Sequence, residues 1–401
     1  MNDRYKKMLR KMAVFLGILV CLTGCANTNP LSETQPQADL QDDILPFQGQ
    51  LISAEATHIR ETVNDNFHID ADVVGYPADG MAGIYVGSPK VFTKEEINAF
   101  VEHCGDSISS VKERDDGDMM YYNGTCASGC RFNYMRGLEG VNHHPYAEFH
   151  YSDPECAAIY GEYPIYYDEN SFCTNQQHTI GWMFTNPKQF SFATANEAEA
   201  TVRDALKILG LSDLLLFRTL YIDHDIMAEA GELLVTDENY APLIGTKENN
   251  GYTLRDDWSE DDDAYIFSFG ISVSNIPLSY HFHAGDTANY CGTNIVVLYT
   301  KYGISNLYVG TPWNVEAEEK EPAPIVSAQA ALDVSKEKYS YDLNMKDKRI
   351  EEIRLEYQYF QNRDKWLLKP VWSIMVSYTN EFPVERYYEF TNIDALTGKE
   401  L

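Results

Sequence analysis

Chemistry in this chain would have to come from its cysteines, histidines and carboxylates. Cysteine stands at 21, 25, 104, 126, 130, 156, 173 and 291. Cys104, Cys126, Cys130, Cys156, Cys173 and Cys291 form an even set, and five of them crowd into residues 104–173. In an exported chain such a set fits disulfides that staple a loop-rich segment, and spacing alone selects no pairing. Zinc is the rival reading, because Cys126 and Cys130 lie near His143, His144 and His150 in sequence. A Cys-x-x-x-Cys spacing with no second tight ligand pair is a loose match, so disulfides or free thiols are expected. His281 and His283 share a strand face beside Asp286, a geometry that can hold a metal; surface histidines flanking Tyr280 and Phe282 are the reading adopted. His68, Asp70 and Asp72 also share a face, taken as the wet side of a half-buried sheet. His224 lies between Asp223 and Asp225 with no nucleophile in a recognisable setting. Residues 256–263 hold six acids in eight positions and read as a solvated, self-repelling loop, since their spacing does not fit a calcium loop. The run Asp115-Asp116-Gly117-Asp118 reads the same way. The sequence contains no Gly-x-Ser-x-Gly elbow, His-Glu-x-x-His pair, phosphate-binding glycine loop or dinucleotide fingerprint. No catalytic, cofactor-binding or metal residue is assigned, and no cofactor is expected.

The N-terminus carries the most specific signal. Arg4, Lys6, Lys7, Arg10 and Lys11 precede an apolar run at 12–22, too short for a membrane span and right for a signal-peptide core. The run ends in Leu22-Thr23-Gly24-Cys25, which resembles the lipobox of bacterial lipoproteins. That resemblance implies lipid attachment at Cys25 after removal of residues 1–24, and two acyl chains give near-permanent anchoring. The full chain has 31 Lys+Arg and 61 Asp+Glu; loss of five bases and Asp3 leaves 26 and 60, a net charge of −34. So acidic a body disfavours nucleic acid, anionic lipid surfaces and polyanionic wall polymers as partners. Hydrophobic residues at 44% and aromatic residues at 13% argue against disorder. Residues 25–50, rich in Pro, Gln, Asn and Asp, read as a disordered tether.

The elements that must position any site follow from periodicity. Residues 54–63 are helix-like. Phe67, Ile69, Ala71 and Val73 alternate with polar residues, which predicts a half-buried strand. Thr93 and Glu96, and later Thr194 and Glu197, form capping boxes, predicting helices to about His103 and to Leu209, with Gly210 as the stop. Residues 107–181 read as strands and long loops. The stretch 214–222 follows with a helix near 226–234, and further strands are predicted at 265–273 and 295–299. Residues 316–324 are acidic and proline-bearing and read as a linker. Beyond it Ser327 caps a helix, and Ile353, Leu355, Tyr357 and Tyr359 alternate with Arg354, Glu356 and Gln358. Strands at 372–378 and 386–390 follow.

The middle and last stretches share an order: a capped, alanine-rich helix, then long antiparallel strands. Each has an apolar residue before proline at a strand end, Ile276-Pro277 and Phe382-Pro383. The fold expected is α+β, with tandem units of antiparallel sheet and a packed helix after a loop-rich α+β N-terminal domain. The division expected is signal peptide 1–24, tether 25–50, N-terminal domain 51–185, middle domain 186–315 and C-terminal domain 325–401. The C-terminal segment, with Lys369-Pro370-Val371-Trp372 opening a strand and Ile393-Asp394-Ala395-Leu396-Thr397-Gly398 closing the chain, resembles PepSY-like domains of secreted bacterial proteins. It is similar to extracytoplasmic regulators that restrain a cell-wall sensor kinase. Through Ile69-Asp70-Ala71 and Phe92-Thr93 the whole chain resembles a group of uncharacterised lipoproteins of Gram-positive anaerobes. These resemblances imply a lipid-anchored extracellular interaction or regulatory module of the cell envelope with a protein partner. The alternative is a binder or hydrolase of wall glycan or peptide, for which the 28 tyrosines and abundant carboxylates would supply stacking faces and acid–base groups.

Overall fold

The computed structural model describes residues 58–75, 77, 79–117, 119–137, 147–156, 181–236, 255, 257–279, 283–284, 289–290, 293–342, 344–362, 365–379 and 386–401. Most of these residues lie in two curled, mainly antiparallel sheets, making the chain a mixed α+β protein dominated by strand.

The seven-stranded sheet joins the beginning of the described chain to its end. Its order runs β1 (His58–Asn64), β2 (Phe67–Val74), β16 (Lys346–Asn362), β17 (Lys365–Thr379), β3 (Met81–Pro89) and β15 (Trp313–Pro324), with β18 (Arg386–Asp394) also paired to β17. Strands β2 and β16 run parallel, with Phe67 opposite Lys348 and Ile69 opposite Ile350. The nine-stranded sheet contains β4 (Ile108–Asp115), β5 (Met119–Cys126), β6 (Arg131–Gly137), β7 (Ala147–Ser152), β14 (Gly303–Gly310), β13 (Asn294–Thr300), β9 (Ala264–Val273) and β10 (Ile276–Pro277), with β8 (Leu214–Ile222) also on β9. A two-residue pair, β11 (His283–Ala284) with β12 (Asn289–Tyr290), stands apart from both.

Helices form where the capping residues place them. In α1 (Lys94–His103) the Thr93 hydroxyl accepts the Glu96 N–H at 3.1 Å and the Glu96 carboxylate accepts the Thr93 N–H at 2.8 Å. In α2 (Ala195–Ile208), Thr194 and Glu197 do the same. Gly210, at φ 71°, ends α2: its N–H reaches the Lys207 carbonyl, and the Leu211 N–H reaches that of Leu206, the paired bonds of a Schellman stop. Helix α3 (His224–Thr236) follows β8, and Ser327 caps α4 (Ala328–Ser340) through the Ala330 N–H.

One core runs between the two sheets. Phe100 brings α1 edge-on to Phe149 of β7 with Phe92, just before the helix, tilted against the same ring; α2 adds Val202 and Leu206, and α4 lays Leu332 and Tyr339 against β2, β16 and β18. Strand β9 feeds two cores from its two faces. Phe267 and Phe269 enter the main one, whereas Ala264 and Ile266 enter a second with Met227 of α3 and Phe184.

Three segments differ from what their sequence predicts. Residues 58–63, read as helix, are strand β1, because Ile59 and Val63 alternate with exposed neighbours and the backbone pairs with β2. Residues 316–324, read as a linker, belong to β15, whose backbone pairs with β3 far back in the sequence. The acidic run at 256–263 is not simply a solvated loop. Asp262 and Asp263 are buried, and Asp262 takes a bidentate bond from Arg255 at 2.7 and 3.1 Å. Buried carboxylates persist where cations and N–H groups replace the lost water.

Candidate functional site

Among the described residues, one grouping has its ligating atoms close together: Asp223, His224 and Asp263. The ladder between β8 and β9 explains why. Ile222 lies opposite Ala264, so the next residue on each chain, Asp223 and Asp263, meets its counterpart where the pairing ends. Asp223 then starts α3 as its N-cap. One carboxylate oxygen accepts the Asp225 N–H at 2.8 Å, and its carbonyl accepts the Met227 N–H at 2.8 Å. Its other oxygen forms an ion pair with Lys188. Asp263 Oδ1 accepts the His224 backbone N–H at 2.9 Å and lies 2.8 Å from His224 Nδ1. Since an ionised carboxylate only accepts, Nδ1 is the donor and Nε2 is directed toward Asp225 at 3.5 Å.

An imidazole oriented in this way by a buried carboxylate can move a proton at Nε2. Two carboxylates and an imidazole within 4.8 Å of one another are also the donor set of a divalent cation. As it stands the arrangement is a salt-bridged helix cap. Lys188 occupies the outer oxygen of Asp223, and His224 holds Asp263 at hydrogen-bond distance.

The other residues singled out by sequence separate into distinct places. On the exposed face of β1 and β2, His58 Nδ1 lies 2.8 Å from Asp72 and Nε2 lies 2.7 Å from Asp70, which also pairs with Arg60. Cys104, Cys126 and Cys130 gather around Tyr151 where α1 ends beside the β5–β6 hairpin. Burial pushes the Cys104 thiol up to about 12 and that of Cys126 up to about 11. Cys156, raised by burial to about 11, belongs to the second core and bonds Ser305. His150 takes no part with these cysteines. On β7 it projects to the face opposite Tyr151 and packs on Tyr308, so the zinc alternative loses that ligand. Cys25, Cys173, Cys291, His143, His144, His281 and Asp286 lie outside the described residues, as do 380–385 with the Phe382-Pro383 match.

Two features carried no readable signal. A cleft of about 650 Å³ opens between the sheets, lined by Ser212, Asp213, Ser272, Asn275, Trp313 and Asn314 among others. A smaller one of about 270 Å³ shares Ser274 and Asn275 with it. Those two residues form the β9–β10 turn at φ 52° and 66°. Trp313 forms part of the larger wall with its ring stacked on Tyr359 at 4.2 Å. The polar face of β16 is also buried: Arg354, Glu356 and Gln358 are at most 2% exposed. Gln358 donates to both Glu356 and Asn392 at 2.9 Å, and Arg354 donates to Glu352 at 2.8 Å. Alternation in sequence shows two faces but not that both are covered.

No family model matches this sequence, and no curated protein matches it. Among solved structures it is similar to the crystal structure of an uncharacterised protein from Eubacterium rectale, at 18% identity and a TM-score of 0.57, over 86% of this chain and 93% of that one. That likeness is one of fold.

Proposed function

We propose that this chain is a lipoprotein held at Cys25 on the extracellular side of the cell membrane, acting as a non-catalytic interaction or regulatory module toward another envelope protein. Strand β15 carries the reading. Its backbone pairs with β3 along its length, yet Asn314 through Pro322 are exposed on both faces. Ordering a backbone costs roughly 1–2 kcal/mol per residue, and a strand that buries neither face recovers little of this through apolar burial. What it displays is charge: Glu316, Glu318, Glu319 and Glu321 around Lys320. Three register irregularities, with Pro322 and Pro324, blunt the edge against strand addition. Recognition would therefore run through side-chain carboxylates toward a basic surface. The same reading takes the middle and C-terminal stretches as two copies of one PepSY-like unit. Its support is the order of elements, capped α2 before β8 and β9, and capped α4 before β16, β17 and β18.

Photo-crosslinkers at positions 316, 318 and 321 in intact cells test it. One dominant envelope-protein adduct is expected, whereas only lipid or self-adducts would overturn the proposal. Cys25→Ala should release the protein from the membrane. The cleft beside Trp313 favours a second reading, binding of wall glycan or peptide. Retention of the soluble body on purified wall would support it, and neither retention nor released fragments would reject it.

A further inference from the structure

Cys104 is the residue that closes α1, and its N–H donates to the Phe100 carbonyl at 3.0 Å. The chain then zips to the β5–β6 hairpin. The Ala127 N–H donates to the Ser107 carbonyl at 2.8 Å, and Ile108 pairs with Cys126. Asp106 fastens the turn itself, accepting the Ser128 N–H at 3.2 Å and also its hydroxyl. Cys126 and Cys130 flank this turn, in which Gly129 takes φ 101°. Tyr151 lies beside it on β7, hydrogen-bonded to Cys130 and edge-on to Phe100 at 5.4 Å. Cys104, one turn past Phe100, and Cys130 therefore flank Tyr151 from two separate elements.

We infer that Cys104 and Cys130 are disulfide partners, joining the end of α1 to the β5–β6 hairpin. Cys126 is the competitor for Cys130. Its N–H donates to the Cys130 carbonyl at 2.8 Å and its carbonyl accepts the Gly129 N–H at 3.1 Å, while the Cys130 N–H turns to the Ser128 hydroxyl, so the two close a bulged three-residue turn. Of these two thiols, Cys130 acts on Cys104 more strongly than Cys126 does. Cys156 lies in the second core, bonded to Ser305.

The oxidant is an external disulfide, either a small-molecule disulfide or that of a thiol oxidoreductase. The Cys130 thiolate attacks it, and one thiol of the oxidant leaves. The Cys104 thiolate then attacks the Cys130 sulfur of the mixed disulfide and expels the second thiol. Two protons are lost from the protein and two electrons pass to the oxidant. Because burial holds the Cys104 thiol near 12, the second attack quickens as pH rises toward that value. In cells the bond needs the oxidising side of a membrane, and to that extent it rests on the proposed export.

The test is a non-reducing peptide map of the purified full chain after exposure to oxidised glutathione and alkylation. Joined peptides holding Cys104 and Cys130 are expected in the wild type and in Cys126→Ser, and neither in Cys104→Ser nor in Cys130→Ser. Cys126–Cys130 as the main product, Cys104 or Cys130 joined to another cysteine, or full alkylation of the folded wild type would each overturn the pairing. The same map on protein recovered from cells separates the two readings. A bond that forms in vitro and is absent in cells would leave the pairing standing and overturn the export.

Discussion

The outer face of β1 and β2 and the end of the β8–β9 ladder each place an imidazole between two aspartates, and each does so through antiparallel register. His58 lies opposite Asp72 on the first, and Ile222 opposite Ala264 brings Asp223 to Asp263 on the second. Their surroundings differ. The side chains of His58, Asp70 and Asp72 are 44%, 53% and 60% exposed; those of Asp223, His224 and Asp263 are 2%, 21% and 7% exposed. At the first site both ring nitrogens face carboxylates, and only the imidazolium can donate to both. The hydrogen bond to Asp72, aided by Asp70 and opposed by slight burial, accordingly raises the His58 pKa. Water and salt screen that attraction, so it contributes little. At the second site two carboxylates have left water, and the loss of a partner strands a charge in the interior. Burial, more than residue type, decides whether such a trio is surface decoration or a structural constraint.

The largest expected effect tests that contrast directly. Asp263→Ala removes the acceptor of both the His224 N–H and Nδ1, and should lower stability by about 2–4 kcal/mol in urea unfolding. A cost no greater than that of Asp70→Ala would break the comparison. His224→Ala should follow at about 1–2 kcal/mol, since Asp263 keeps the backbone N–H but loses the ring. His58→Ala should cost less than about 1 kcal/mol at low salt, and less again in high salt. The smallest effect is one of pH. With its folded pKa raised, His58 contributes fully below its ordinary 6.5 and loses that contribution as pH rises through the folded value. Asp70 has the opposite sign. Bonds from Arg60, and then from His58, lower its pKa, so its contribution is present above 3.8 and lost as pH falls through the folded value. An NMR titration of His58 should show a midpoint above 6.5 that drops in Asp72→Asn; no drop would detach the shift from that carboxylate.

What the sequence disclosed was local. Thr93 with Glu96, Thr194 with Glu197, and Gly210 act within a few residues, and each does in the structure what its spacing predicts. The alternation of β2 was legible for the same reason. What stayed hidden depends on remote partners. Residues 58–63 become strand because β2 pairs with them, and 316–324 because β3 does. His224 showed its neighbours Asp223 and Asp225, but the carboxylate that holds its ring is 39 positions away and is brought there by register. Arg354, Glu356 and Gln358 gave the expected period, and only tertiary packing reveals that their face is covered.

The parallel pairing of β2 with β16 sets an order on the birth of the protein. Phe67 waits for Lys348, and β3 for both β15 and β17, so much of the seven-stranded sheet cannot close until more than three hundred residues have been made. Contacts of such sequence separation pay loop-closure entropy before any packing compensates it, which makes assembly slow. That delay is what the proposed export would require of the chain.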